Sequence, residues 1–378
     1  MKRALLIVLD SVGCGGAPDA AQYGDAGANT LGHLIERVPG LHLPHLQSLG
    51  LGEILGRGHR ADCLRWPGSS HARLTARSAG KDTTTGHWEL MGCVLERPFD
   101  TFESFPAAFV EELERRGGVR FIGNHAASGT EILRRLGAEH LRSGDPILYT
   151  SADSVLQIAA HEQVFGLERL WDLCRTARHL LDERGIRIGR VIARPFVGTC
   201  PEDFKRTSNR HDYSLTPGET ALNRLQNAGV ETIGVGKISD IFAGSGIWES
   251  HPTTSNADGM AAIDTLWRQA RPHPHFVFAN LVDFDSLFGH RRDPAGYAAC
   301  LTAFDAWLGT FLPRVLPGDL VMLTADHGSD PYQPGTDHTR EQVPLLALGL
   351  QTPLRDGSFA EVARLVEGWF AYLRVLSR

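Results

Sequence analysis

The chain has 378 residues, 42% of them hydrophobic and 22% charged, with a formal net charge of −6. It can bury a large core, more naturally as two domains than one; its apolar content argues against disorder, and its acidic balance supplies no general basic field for nucleic acid. No apolar run reaches the ~20 residues of a membrane span, and the six cysteines (Cys14, Cys63, Cys93, Cys174, Cys200, Cys300) are scattered without a Cys-x-x-Cys pair, which points to reduced thiols in the cytoplasm rather than a disulfide framework.

In chain order, Met1-Lys2-Arg3 leads straight into the apolar run Leu5–Leu9, which Asp10 ends; the run is too short for the core of a signal peptide. Further buried strands are predicted at Thr232–Val235, Phe276–Val282, Leu320–Thr324 and Pro344–Leu348. Polar or Gly-rich residues closely follow the first four of these five strands. The middle of the chain, from about Arg97 to His211, reads differently. It holds helical patterns at Phe109–Arg116 and Leu167–Arg184, with strands at Ile147–Thr150 and Val191–Ala193. Short apolar runs alternating with helical patterns predict an α/β fold around a mostly parallel sheet. The middle block predicts a second domain inserted at 97–213, between core segments 1–96 and 214–378.

Four segments carry residues suited to chemistry. Asp10-Ser11-Val12-Gly13 places a carboxylate and glycines at the end of the first strand. Gly80-Lys81-Asp82-Thr83-Thr84-Thr85-Gly86-His87 sets three hydroxyls at a helix start, where backbone N–H groups and the helix dipole favour phosphate. Asp283-Phe284-Asp285 caps an apolar run, and His290 follows Asp285 by five positions. Asp326-His327, with His338 eleven residues beyond His327, follows the strand Leu320–Thr324. Taken singly, each has a bland reading, such as Asp10 as a helix N-cap. Together they gather carboxylates and imidazoles at strand ends, where open α/β sheets bind ligands. Mixed Asp/His sets suit Mn- or Zn-type cations. Two groups follow: Asp10, Asp326 and His327 for one ion, and Asp285, His290 and His338 for the other. Two such ions about 4 Å apart clamp a phosphoryl group and activate a threonine hydroxyl that is otherwise a poor nucleophile. Residue types alone leave Thr83, Thr84 and Thr85 as equal candidates.

These residues resemble the phosphopentomutase family of the alkaline phosphatase superfamily, nearly end to end. The match runs through Asp10–Gly13, Lys81–Glu89, Tyr149–Gln157, Val191–Phe196, Asn209–Tyr213, Gly236–Asp240, Asp283–Asp293 and Gly335–Arg340. The resemblance implies an alkaline-phosphatase-like three-layer core with a central mostly parallel sheet and an inserted smaller α/β cap. It implies two Mn²⁺ ions, with Mg²⁺, Co²⁺ or Zn²⁺ as substitutes, on Asp10, Asp285, His290, Asp326, His327 and His338. It assigns Thr83 as the phosphate carrier; Thr84 departs from the bulkier residue often found at the middle position. Ser151, Asp153, Arg190, Arg194 and Arg206 of the cap, with Lys237 of the core, are implied as substrate contacts, since Arg forks suit phosphate and Asp suits sugar hydroxyls.

The implied reaction interconverts ribose 1-phosphate and ribose 5-phosphate, and the 2-deoxyribose pair, through a phosphothreonine and a 1,5-bisphosphate, with a sugar bisphosphate as primer. The implied partners are small pentose phosphates, with neither nucleic acid nor membrane. Cap closure would exclude water, which would otherwise hydrolyse the phosphothreonine. The rival readings are a phosphatase or phosphodiesterase on the same core, a phosphoglycerate mutase, which generally uses Ser, and a metal-dependent scaffold without turnover. The sulfatase branch expects a Cys/Ser-x-Pro-x-Arg motif that is absent at Thr83.

Overall fold

The computed structural model describes residues 2–58, 63–151 and 154–371. The chain divides into two compact units, Met1–Arg97 with Pro217–Arg378, and Pro98–Thr216. The first unit begins with β1 (Arg3–Leu9) and β2 (Ser69–Thr75). The second holds β3 (Ile122–Ala126), β4 (Ile147–Thr150), β5 (Val155–His161), β6 (Arg190–Val197), β7 (Lys205–Arg206) and β8 (His211–Ser214). The chain then returns to the first unit with β9 (Glu231–Val235), β10 (Glu249–His251), β11 (His275–Leu281), β12 (Asp319–Thr324), β13 (Val343–Leu348) and β14 (Gly357–Ser358).

In the first unit the strand order is β10-β9-β11-β1-β12-β13-β2-β14. The pairings from β10 to β12 are parallel; β13 runs antiparallel to both β12 and β2. Successive residues of a strand face opposite sides of a sheet. Every residue of β11 and β12 is buried, and every residue of β1 from Leu5 onward. Both faces are therefore covered, and the sheet is a middle layer. This explains why these strands read as largely apolar runs. The registers Leu9↔Leu281 and Val8↔Thr324 bring the carboxyl ends of β11, β1 and β12 level with one another. Whatever follows those three strands must emerge at one edge.

The second unit has its own sheet, β3-β4-β5-β6-β7, with β8 also paired to β6. Its core includes Phe109 and Leu113 from the helix Ala107–Gly117, and Leu170, Leu173, Ala177 and Leu181 from the helix Leu167–Glu183. Those helices repeat apolar residues at three- and four-residue spacing, which gives each one apolar stripe. A smaller cluster packs the helix Gly129–Ser143, through Ile132 and Leu133, against Tyr149 and Phe196.

Candidate metal centre

Asp10 directly follows β1 and extends its ladder, donating its N–H to the Leu281 carbonyl (3.1 Å). Its Oδ2 accepts from Asn280 Nδ2 (3.0 Å). Next to it, Ser11 takes a left-handed backbone (φ 70°), a conformation non-glycine residues seldom adopt. That turn aims the Ser11 N–H at Asp326 Oδ1 (3.0 Å), and the buried Tyr297 hydroxyl holds Ser11 Oγ at 2.9 Å. Asp326 and His327 follow β12, and all three ligand candidates of this group are about 2% exposed.

Asp285 lies in a π-helical turn, Phe284–Gly289, after β11. There the His290 N–H bonds to the Asp285 carbonyl five residues back (3.1 Å). In an α-helix, positions five apart diverge; the wider turn brings them together. His290 Nε2 stands 3.1 Å from Asp285 Oδ2. His338 Nε2 lies 3.2 Å from His290 Nε2 and 3.4 Å from Asp285 Oδ1. A bridge between Gly328 and Thr339 closes the long loop after β12 and returns His338 to His327, with ring centroids 4.0 Å apart. Arg292 clamps the same loop by donating to the Gly335 and Asp337 carbonyls (2.6 and 2.7 Å).

Several features fit a divalent pair. Asp10 Oδ1, Asp285 Oδ1 and Asp326 Oδ2 are buried and accept no hydrogen bond among the described residues. Buried carboxylate oxygens of this kind call for cations. His327 Nδ1 is bonded to the Gly328 carbonyl (3.0 Å) and His290 Nδ1 to the Thr336 carbonyl (2.7 Å). A ring nitrogen facing a carbonyl must donate, so each ring presents Nε2 to the carboxylates. Two clusters form, Asp10–Asp326–His327 and Asp285–His327–His338. His327 is thus within reach of both.

The electrostatics agree with that need. Burial raises the Asp10 carboxyl above its ordinary range, reinforced by the neighbouring Asp326 charge. Burial works the same way on Asp326 and Asp285, but nearby imidazoles outweigh it and hold both low: His327 and His87 at Asp326, His290 and His338 at Asp285. Burial also opposes charge on His327, yet the pull of Asp326 and Asp10 lifts it well above the usual imidazole range. Asp285 raises His290 to about 9. In the metal-free chain, protons on His327 and His290 balance the carboxylates; a metal would replace them.

Thr83 opens the helix Thr83–Leu90, with Asp82 as N-cap. Its Oγ1 lies 3.2 Å from His327 Nε2. The three threonines therefore differ. Thr85 is buried, and its Oγ1 and N–H both donate to Asp82 (2.5 and 3.0 Å). Thr84 follows Thr83 on the helix and is partly exposed. Lys81 does not reach out alone: its Nζ lies 3.0 Å from Asp25 Oδ2 and 3.1 Å from Asp337 Oδ2.

The remaining candidates are spread between the units. Lys237 is exposed at the start of a short helix after β9. Ser151 follows β4, half-buried, and Asp153 lies outside the described residues. Arg190 opens β6, exposed, 3.8 Å from Asp212. Arg194 donates to Gln157 Oε1 (3.0 Å) and Arg206 to the Tyr149 hydroxyl (3.2 Å). Burial, then repulsion from Arg210, pushes Arg194 below the usual guanidinium range.

Sequence reasoning overlooked Asn280, Tyr297 and the clamp Arg292. Asn280 had a signal, a lone polar residue inside the apolar run before Asp285. Tyr297 had none, because its role depends on a helix packing against the first loop.

The metalloenzyme superfamily pattern matches residues 2–367. The chain is 54% identical to a phosphopentomutase from Syntrophotalea carbinolica over 91% of this chain and 87% of that protein. It is 52% identical to a phosphopentomutase from Symbiobacterium thermophilum over 94% and 90%. The chain belongs to the phosphopentomutase family. It is accordingly an isomerase of the mutase type, on an α/β core of the alkaline phosphatase superfamily, with ligand groups suited to divalent metal. Among solved structures it is similar to a Leishmania mexicana phosphoglycerate mutase (12% identity, 97% and 95% coverage, TM-score 0.47). No described helix of the enzyme is long and apolar enough to cross a membrane.

Proposed function

We propose that the enzyme interconverts ribose 1-phosphate and ribose 5-phosphate, and the 2-deoxyribose pair, with Thr83 as its phosphate carrier. The observation that carries this reading is the Thr83 hydroxyl, at a helix N-terminus and 3.2 Å from His327 Nε2. Phospho-Thr83 donates its phosphoryl group to the free hydroxyl of the sugar monophosphate. The Thr83 Oγ–P bond breaks as the sugar O–P bond forms, and the sugar hydroxyl proton is passed on so that Thr83 is left as the alcohol. The resulting 1,5-bisphosphate then returns its other phosphate to Thr83. Such transfer asks mainly for positioning and charge neutralisation. The N-terminal N–H groups of the Thr83 helix orient phosphate oxygens.

We assign Asp10, Asp326 and His327 to one Mn²⁺ and Asp285, His290 and His338 to the other, with Mg²⁺, Co²⁺ or Zn²⁺ as substitutes. When bound, the pair supplies charge neutralisation and Lewis acidity. Ser151, Asp153, Arg190, Arg194 and Arg206, with Lys237, recognise the sugar hydroxyls and the phosphate that is not reacting. The second unit, 98–216, serves as a cap that keeps water from phospho-Thr83, and a sugar bisphosphate primes the first turnover. A cytoplasmic setting is supported by the scattered cysteines, which form no Cys-x-x-Cys pair.

Thr83→Ala is expected to abolish both turnover and incorporation of labelled phosphate, while Thr84→Ala keeps both. Near-full turnover in Thr83→Ala, with Thr84→Ala or Thr85→Ala dead, would move the carrier to another hydroxyl. Free phosphate accumulating from ribose 1-phosphate, in place of ribose 5-phosphate, would make the protein a phosphatase.

A further inference from the structure

His87 is completely buried one turn below Thr83, in the same helix. Its Nδ1 lies 2.9 Å from the Thr83 carbonyl and 3.1 Å from Asp326 Oδ2. Both neighbours offer only lone pairs, so Nδ1 carries the proton and donates to the Thr83 carbonyl. The other nitrogen, Nε2, is buried without a partner among the described residues, and the ring stacks on Phe278 (centroids 5.8 Å apart, 25° between planes).

The helix is pressed against Asp326 at the preceding residue. A Cβ on Gly86 would meet the Asp326 carbonyl oxygen at 2.2 Å. Glycine there allows backbone approach that no other residue permits. Farther along, Glu89 anchors the helix by accepting from the Arg77 and Ser78 N–H groups (2.9 and 2.7 Å). Asp326 is thus held at Oδ1 by the Ser11 N–H, and His87 Nδ1 stands 3.1 Å from its Oδ2.

We propose that His87 is a positioning residue that holds the start of the Thr83 helix in register with the Asp326 carboxylate, so that nucleophile and metal ligand share one rigid frame. The proposal rests on the reading of Thr83 as carrier and Asp326 as ligand. It makes the two nitrogens unequal. Asparagine places its amide nitrogen where Nδ1 stands, whereas glutamine reaches toward Nε2.

The test compares His87→Asn with His87→Gln in the full-length protein, reading Mn²⁺ affinity by competition with a chelating dye, kcat and KM for ribose 1-phosphate, and Tm. We expect His87→Gln to weaken Mn²⁺ binding or lower kcat by roughly 10- to 100-fold with KM little changed, and His87→Asn to stay within about threefold of the parent, as for partners that orient a metal ligand. Equal behaviour of the two variants, whether both intact or both impaired, overturns the proposal, as does a worse result for asparagine. Nitrogen NMR of the histidine rings in the Mg²⁺-loaded parent gives a check that needs no variant to fold: a proton on Nε2 of His87, in place of Nδ1, also overturns it. Metal affinity is read without turnover. A parent that binds two Mn²⁺ but isomerises no pentose phosphate would therefore remove the mutase reading and leave His87 to be judged on affinity and tautomer.

Discussion

The two candidate ligand groups stand at neighbouring strand ends yet differ in their surroundings. Asp10, Asp326 and His327 are about 2% exposed, whereas the His290 side chain is 43% exposed and that of His338 14%. In the buried group one oxygen of each carboxylate is held by a fixed donor: Asn280 on Asp10, Ser11 on Asp326. In the open group the aim comes from a single turn of π-helix and a loop closed by Arg292. Charge in the buried group is poorly screened, so a missing cation or a missing ligand is felt in full. Water can relieve the open group. The first should behave as a permanent fixture and the second as an exchangeable one.

Removing a ligand from each group tests this contrast most severely. Asp326→Ala is expected to lower kcat by roughly 10³-fold, the loss of several kcal/mol of charge stabilisation, with no recovery in excess Mn²⁺. His290→Ala should weaken metal binding on the order of 10- to 100-fold, the scale of losing one oriented contact at a metal site, and excess Mn²⁺ should restore turnover. Equal, unrescued losses in the two variants would erase the distinction between the groups.

Acidity sharpens it further. Asp285 raises His290 to about 9, so at neutral pH the metal-free ring is protonated and a metal must displace that proton. Affinity at the open group should fall about tenfold per pH unit below that value for each proton displaced. Calorimetry in buffers of different ionisation enthalpy would record the release, and no released proton at neutral pH would count against His290 as a ligand. The smallest effect concerns stability. In the chelated protein the His290–Asp285 contact is fully stabilising below about 6.5, the ordinary histidine value, and its contribution is lost as pH rises through about 9. In the metal-loaded protein the tighter binding at higher pH cancels that loss, so this residue's slope should vanish across the interval. Melting temperatures across that interval, with and without chelator, would reveal whether the slope disappears.

Much of the core sheet was legible. Thr232–Val235 and Leu320–Thr324 stand out as apolar runs because parallel strands buried on both faces have no polar side to show. By contrast β2, Ser-Ser-His-Ala-Arg-Leu-Thr, went unseen; only Ala72 and Leu74 of it are buried, and antiparallel pairing with β13 holds it in place. β5 was matched only in part, within a motif, since Gln157 and His161 interrupt a strand that is buried throughout. Its polar residues are satisfied by partners distant in sequence, such as Arg194 at Gln157.

The site divides in the same way. The sequence by itself determined which kinds of ligand stand at the strand ends, because a carboxylate or imidazole just after an apolar run has to surface where the strand stops. It could neither rank three adjacent threonines nor foresee that His327 lies within reach of both groups. Those outcomes were decided by tertiary structure. The order β11-β1-β12 sets three strand ends side by side, a π-helical turn folds His290 back onto Asp285, and Gly86 lets a helix press against Asp326 so that Thr83, and neither of its neighbours, meets His327. Each of these depends on contacts between residues tens to hundreds of positions apart, or on a departure from regular helix geometry, and local composition carries no signal of either.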